Sequence, residues 1–479
     1  MRNKNKQTSL FDTYLEVADS YENNKPRLFI LLDEVLDWEA LIPTRFYHAF
    51  YQRMGRPREY SLVSFLKLLI LQRLFGYITD SQLLVTLRHS SEMRMFCELQ
   101  KVPDAAKITR FKQDFQIYIA EVFENLVELT EPICRQMDAE LADCLIFDTP
   151  GIESYVTENN PKFLNSKLAQ AKAYAKSNPD LNPYQIVYSL MPDSALANSN
   201  VKRQYINGHF CYAQKAGILT NGLGIVRHIE LFDESFKAAH PEIPVEQQEN
   251  NPTKDKEIGD SKALLPILID FKTAHPSLKY SSFLGDSAFD SYDIYSALLG
   301  DFGLSRAVIP LNMRNSKSSP ETLLNDSGVP LCPRDMTPLL FQGVCRGKNR
   351  SKRFKFVCPK SKVVQTQLGA TRRCLCEEPC TSSAYGRCVY VYPDADKRLY
   401  PGILRDSDQW VSLYNKRIAI ERSIGSFKSL LCLQGRKTFN TATTKTDLYL
   451  AGITQLFCVL LADALHDPKL ARSIRKLAA

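Results

Sequence analysis

Cys144-Leu145-Ile146-Phe147-Asp148 is a short apolar run that ends in a carboxylate, and Ser282-Phe283-Leu284-Gly285-Asp286 repeats the pattern later in the chain. Each reads as a buried strand with an acidic residue at its end. Between them lie two strand-like runs, His209 to Leu219 and Gly224 to Phe232, joined by Thr220-Asn221-Gly222-Leu223. Asn-Gly between such runs is the strongest short hairpin signal in the chain. Helical spacing follows at Lys262 to Lys272 and at Tyr292 to Leu299, then a strand from Ala307 to Leu311. Strand, hairpin, helix, strand, helix, strand predicts an α/β fold: a mixed sheet with helices packed against it.

Upstream the texture is helical. Leu62, Phe65, Leu66, Leu69, Ile70 and Leu74 recur at helical spacing. Thr79, Asp80 and Ser81 offer caps to a second helix running through Leu83, Leu87, Met93 and Phe96, and Asp104 to a third starting near Ala105. A long amphipathic helix spans Ile117 to Met137. Short helices with polar turns suit a DNA-reading helix-turn-helix, and they suit a plain helical bundle equally. A polar stretch to Asn200 reads as a surface excursion. Residues 315–403 are rich in Ser, Pro, Arg, Lys and Cys and read as an insertion. Helices from Ser407 to Leu431 and from Thr444 to His466 close the pattern. Four segments result: 1–140, 141–314, 315–403 and 404–479.

The chain has 479 residues, 44% hydrophobic and 24% charged, a composition ordinary for globular domains. The basic start leads into no apolar core, so a secretory signal is not expected. The apolar stretch from Leu448 to Leu465 is broken by Thr454, Gln455 and Asp463 and predicts a buried helix, not a membrane span. The expected compartment is the cytoplasm, where the thirteen cysteines would be reduced or metal-bound. Net charge is +8, but residues 331–390 carry +9 and 411–479 carry +7, so the rest is acidic. Concentrated basic regions suit a polyanion, or form a solvated face with no partner.

Phosphodiester chemistry through divalent ions needs carboxylates that converge from separate elements. Taken singly, Asp148 or Asp286 could be only a turn or helix cap. The segment Tyr414-Asn415-Lys416-Arg417-Ile418-Ala419-Ile420-Glu421, continuing to Lys428, adds a third carboxylate. In one helix, Tyr414, Arg417, Glu421 and Lys428 share a face, where a core helix would carry apolar residues. An exposed, salt-bridged face is the other reading.

This spacing resembles the Tyr-x2-Arg-x3-Glu-x6-Lys signature of the DDE transposases of bacterial insertion sequences. Gly285-Asp286-Ser287-Ala288-Phe289 resembles that family's second motif, and Ile146-Phe147-Asp148-Thr149-Pro150-Gly151 its first, with Pro150 as a departure. Residues 56–115 resemble the helical domain that often precedes this core. The resemblance implies a ribonuclease-H-like fold behind an all-α, DNA-binding N-terminal domain. It implies Asp148, Asp286 and Glu421 as ligands of two Mg2+ ions, with Mn2+ possible. Tyr414, Arg417 and Lys428 would bind the transposon end. The implied partners are double-stranded DNA, as terminal inverted repeats and target, and a second copy of the chain in the synaptic complex. The implied reaction is strand cleavage at the ends followed by strand transfer. A metal-dependent nuclease of the same fold, and a transposase-derived DNA-binding protein without activity, are the alternatives.

Seven cysteines crowd the insertion: Cys332, Cys345, Cys358, Cys374, Cys376, Cys380 and Cys388. Cys332-Pro333 and Cys358-Pro359 look like halves of zinc knuckles, although the spacings form no clean pair of Cys-x2-Cys units. Structural zinc and scattered reduced thiols both stay open. With Phe354, Phe356, Tyr385, Tyr390 and Tyr392, the module also suits a DNA-gripping arm. His209 and His228 read as packed or surface residues.

Overall fold

Local capping chemistry sets most of the N-terminal helices. Ser61 accepts from Ser64 N at 2.9 Å and opens the Leu62–Leu74 helix. Thr79 and Gln82 form a reciprocal capping box at the head of Asp80–His89. The expected second helix is in fact two, because Ser90 is extended and caps a separate helix, Ser91–Phe96. Asp104 accepts from Lys107 N at 2.8 Å and starts Ala105–Asp114. The Gln116–Met137 helix buries Ile119, Val122, Phe123, Leu126 and Val127 along one side.

The computed structural model describes Leu15, Asp19 and residues 25–473, apart from 53–55, 179, 207–208, 244–257, 313–322, 326, 348–349, 367–368 and 406. The basic start and the first residues of the expected insertion, 315–322, lie outside the described residues. Two compact units divide the chain: the first takes 1–142, 148–278 and 419–479, the second 143–147 and 279–418.

In the first unit the Thr441–Ala464 helix is the core. It is long and apolar enough to cross a membrane, but it is buried on nearly every side. Gly452 makes a close approach possible, since a Cβ there would stand 2.7 Å from the Phe123 ring. An antiparallel sheet belongs to this unit: β2 (Gly151–Glu153), β3 (Ser194–Ala195), β4 (Asn198–Ile206), β5 (His209–Asn221) and β6 (Val226–Leu231). β5 pairs with β2, β4 and β6, and β3 adds to β4. The predicted hairpin is β5–β6, turning through Asn221, whose carboxamide accepts from Leu223 N and Ile225 N. The polar excursion is not irregular: it holds helices Pro161–Lys176 and Pro183–Ser189, each capped by an Asn with proline at its first position.

The second unit has parallel pairing. Its strands are β1 (Cys144–Asp148), β7 (Ser282–Leu284) and β8 (Arg306–Val308), with β7 between the other two. The cysteine-rich stretch, read as an insertion, forms two small sheets. One joins β9 (Leu340–Gly347), β10 (Arg350–Val357) and β13 (Cys388–Val391). The other joins β11 (Ser361–Thr366) and β12 (Gly369–Cys374).

Candidate active site

Asp148 is the last residue of β1, partly exposed, and accepts from Thr149 N at 2.8 Å. The loop behind it is pinned twice. Pro150 O accepts from Ala216 N at 3.0 Å, so the departure from the family pattern still leaves the chain tied to β5. Thr149 Oγ1 donates to Asp260 at 2.5 Å, and Asp260 is also paired with Lys215.

Asp286 is held by different means. Its Oδ1 accepts from Ala288 N at 2.8 Å, so it caps the short turn Ser287–Phe289. Gly285 before it has no room for a side chain, because a Cβ would meet Phe283 at 2.9 Å and Phe289 at 3.0 Å. Phe289 is the aromatic of the motif and packs with its ring centroid 5.6 Å from that of Phe147. Asp290, wholly buried, closes the motif through a two-point contact with Arg398: Nε at 3.0 Å and Nη2 at 2.6 Å.

The helix expected from Ser407 to Leu431 is interrupted. It runs as Asp408–Tyr414, a 3-10 turn Asn415–Arg417, and Ile418–Ser429. Tyr414, Arg417, Glu421 and Lys428 therefore do not share one continuous α-helical face. Tyr414 and Arg417 stay together, the guanidinium 6.0 Å from the ring centroid, and Tyr414 stacks on Trp410. Glu421 is exposed on the first turn of Ile418–Ser429, and Lys428 lies on the last, seven residues on and on the same side.

Burial pushes the Lys428 ammonium below the ordinary lysine range, and Cys211, Asp148 and Glu153 pull it back up. Asp148 and Lys428 are thus brought within electrostatic reach of each other. The helix that carries Glu421 is fixed on the hairpin: Gln455 Nε2 donates to Gly224 O at 3.0 Å and to Ser423 Oγ at 3.2 Å, and its Oε1 accepts from Val226 N at 2.8 Å. Gly224, at φ 77°, lets the turn close on that helix, since a Cβ would stand 2.9 Å from Ala419 O.

Among the described residues, no three His, Cys, Asp or Glu side chains are arranged to hold one metal ion. Sequence reasoning missed the supporting residues Lys215, Asp260 and Arg398. Arg398 sits in the stretch read as insertion, and nothing in its local pattern ties it to Asp290.

Residues 17–114 match the model of a family described as a transposase domain (DUF772). The match takes in the helices from Arg27 to Asp114 and supports a protein of the transposase family. No curated protein and no solved structure matches the chain.

Proposed function

We propose that the protein is a DDE-type DNA transposase of the insertion-sequence kind, with a ribonuclease-H-like core and the acidic triad Asp148, Asp286 and Glu421. The transposase-domain match supports the class. The site reading rests chiefly on strand register: β1 and β7 pair in parallel with Ile146 opposite Leu284. Each of those residues is followed two positions later by an aspartate, so the chain leaves neighbouring strands at the same end with a carboxylate on each.

Three carboxylates are hard oxygen donors of the kind Mg2+ takes, with Mn2+ as a substitute. Two ions held by Asp148, Asp286 and Glu421 would supply Lewis acidity and charge neutralisation at phosphorus. The remaining work falls to the chain's own side chains. Lys428 presents an ammonium within electrostatic reach of Asp148, suited to a phosphate next to the scissile bond. Arg417 and Tyr414 offer a guanidinium over a phenol, suited to a phosphate or an unstacked base. The substrates in this reading are terminal inverted repeats and target DNA, bound by a homodimer in the cytoplasm.

The test is end cleavage and strand joining on duplexes carrying the repeats that flank the gene. Asp148→Asn, Asp286→Asn and Glu421→Gln should each abolish both steps and leave DNA binding in place. Cleavage without joining would mark a nuclease. Near wild-type cleavage by any one variant would remove that residue from the triad.

A further inference from the structure

The cysteine-rich module has little apolar material to hold it. Its buried cluster is Leu339, Phe354, Phe356, Cys358 and Tyr400, beneath two small sheets. So small a core needs a further staple.

The cysteines are placed to supply one. Cys332-Pro333 and Cys358-Pro359 each open a tight turn: Met336 N donates to Cys332 O at 2.9 Å, and Ser361 N to Cys358 O at 3.0 Å. Both side chains are buried, at 6% and 3% exposure. Cys376 packs against the cluster that contains Cys358. The Cys376 thiol is in hydrogen-bonding contact with Cys374 and with Cys358, that of Cys380 with Cys332, and Cys358 lies within electrostatic reach of Cys380. Two cations stand beside this group, Lys360 near Cys332 and Cys376, and Arg387 near Cys380. Arg387 Nε is buried with no hydrogen-bond partner. A buried N–H without an acceptor is costly, and a thiolate at Cys380 would supply an acceptor nearby.

We propose that Cys332, Cys358, Cys376 and Cys380 are the four ligands of a structural zinc ion that staples residues 323–403. Cys376 touches both Cys374 and Cys358, Cys380 touches Cys332, and among the described residues no three ligands are gathered at one point. Paired S–H contacts are what neutral thiols make without an ion. Zinc binding replaces four S–H bonds with four S–Zn bonds and releases four protons to solvent. Arg387 then offsets part of the negative charge of the tetrathiolate centre, while Lys360 is shared with Asp335 at 2.6 Å. Spacing decides between neighbours: Cys376-x3-Cys380 falls within the usual ligand interval, whereas Cys374-x-Cys376 is too short. Cys345 and Cys388 lie on β9 and β13, Cys388 in contact with Tyr390, and are left out.

Elemental analysis of the full chain, expressed with added zinc, should find one zinc per chain. C332S, C358S, C376S and C380S should each lose it, and C345S, C374S and C388S should keep it. Because a serine variant can fail to fold, the wild type is also reloaded with cobalt, whose thiolate charge-transfer absorption reads the number of sulfur ligands directly. Four sulfurs are expected. A wild type without zinc, stoichiometric iron in its place, fewer than four sulfurs on cobalt, or Cys332–Cys380 and Cys358–Cys376 disulfides in a peptide map would each overturn the assignment.

Discussion

Asp447→Asn should be among the most destabilising conservative changes in the first unit. Asp447 is buried in the Thr441–Ala464 helix, and three cations converge on it. Arg73 Nη2 and Lys112 Nζ reach Oδ1 at 2.8 and 3.1 Å, and Arg436 Nη1 reaches Oδ2 at 3.0 Å. Among the described residues, Lys112 alone of the three also pairs with a second carboxylate, Asp80 at 2.9 Å. An asparagine keeps the shape and one acceptor but leaves buried positive charge uncompensated. Breaking a buried pair from one side costs about 3–5 kcal/mol, and the acceptor that remains argues for the lower end. At roughly 2–4 °C per kcal/mol for a large domain, Tm should fall by about 6–12 °C.

The same variant carries a pH signature. Burial alone would raise the Asp447 pKa, but Lys112, Arg73 and Arg436 outweigh it and hold the carboxyl well below its usual range. A depressed carboxylate stabilises the fold above its unfolded pKa of about 3.9, and that contribution is lost as pH falls through the folded value. Urea unfolding followed by circular dichroism should show the wild-type advantage at pH 7 and its decline below about pH 4. A loss under about 1 kcal/mol at pH 7, or a gap that widens in acid, would refute the charge argument.

Lys428→Ala should weaken binding to transposon ends and reduce the slope of log K against log salt by about one unit, as for one lost phosphate contact; an unchanged slope in a salt titration counts against the contact. Gln455→Leu leaves Val226 N and Gly224 O unpaired in the interior, at about 1–3 kcal/mol each, and should also impair cleavage by loosening the Glu421 helix. Full stability in denaturant titration would show that water replaces the amide. His275, buried between Glu124 at 2.5 Å and Glu128 at 3.1 Å, is drawn down by burial but raised further by the two carboxylates. That stabilisation is present below an unfolded pKa of about 6.5 and is lost as pH rises through the folded value. His275→Gln should therefore cost more stability at pH 6 than at pH 9, and equal costs would sink the ion-pair account.

The parts of the fold legible in the sequence are those with local causes. Thr79 and Asp104 cap where their side chains predict, Leu145-Ile146-Phe147 is a buried strand because it has no polar side to turn outward, and Ser282 in Ser282-Phe283-Leu284 is buried with its hydroxyl accepting from Arg306 Nε at 2.7 Å. The 3-10 turn at Asn415–Arg417 has no proline or glycine to announce it. β4 was hidden for another reason: in Asn198–Ile206 only Val201 is fully buried, and pairing with β5 supplies what the residues' own apolarity does not. In the cysteine-rich module, Lys352, Arg353 and Lys355 lie among the apolar residues of β10, so that strand carries charge in place of a clean apolar alternation. The supports of the acidic residues are long-range. Arg398 reaches Asp290 across more than a hundred residues, and no local pattern encodes such a contact.

The burial of the Thr441–Ala464 helix bears on how the protein is made. On the ribosome, the Gln116–Met137 helix emerges long before the segment that covers Phe123. At about 5–20 residues per second the wait is roughly 15–60 s, with an apolar face open to solvent and to chaperones. β1 waits as well, since Ser282–Leu284 must be synthesised before Cys144–Ile146 gains its parallel partner. A gene copy interrupted anywhere before Thr441 would thus yield a chain without the centre of its first unit. Such fragments should be degraded, and would not persist as competitors of the intact protein.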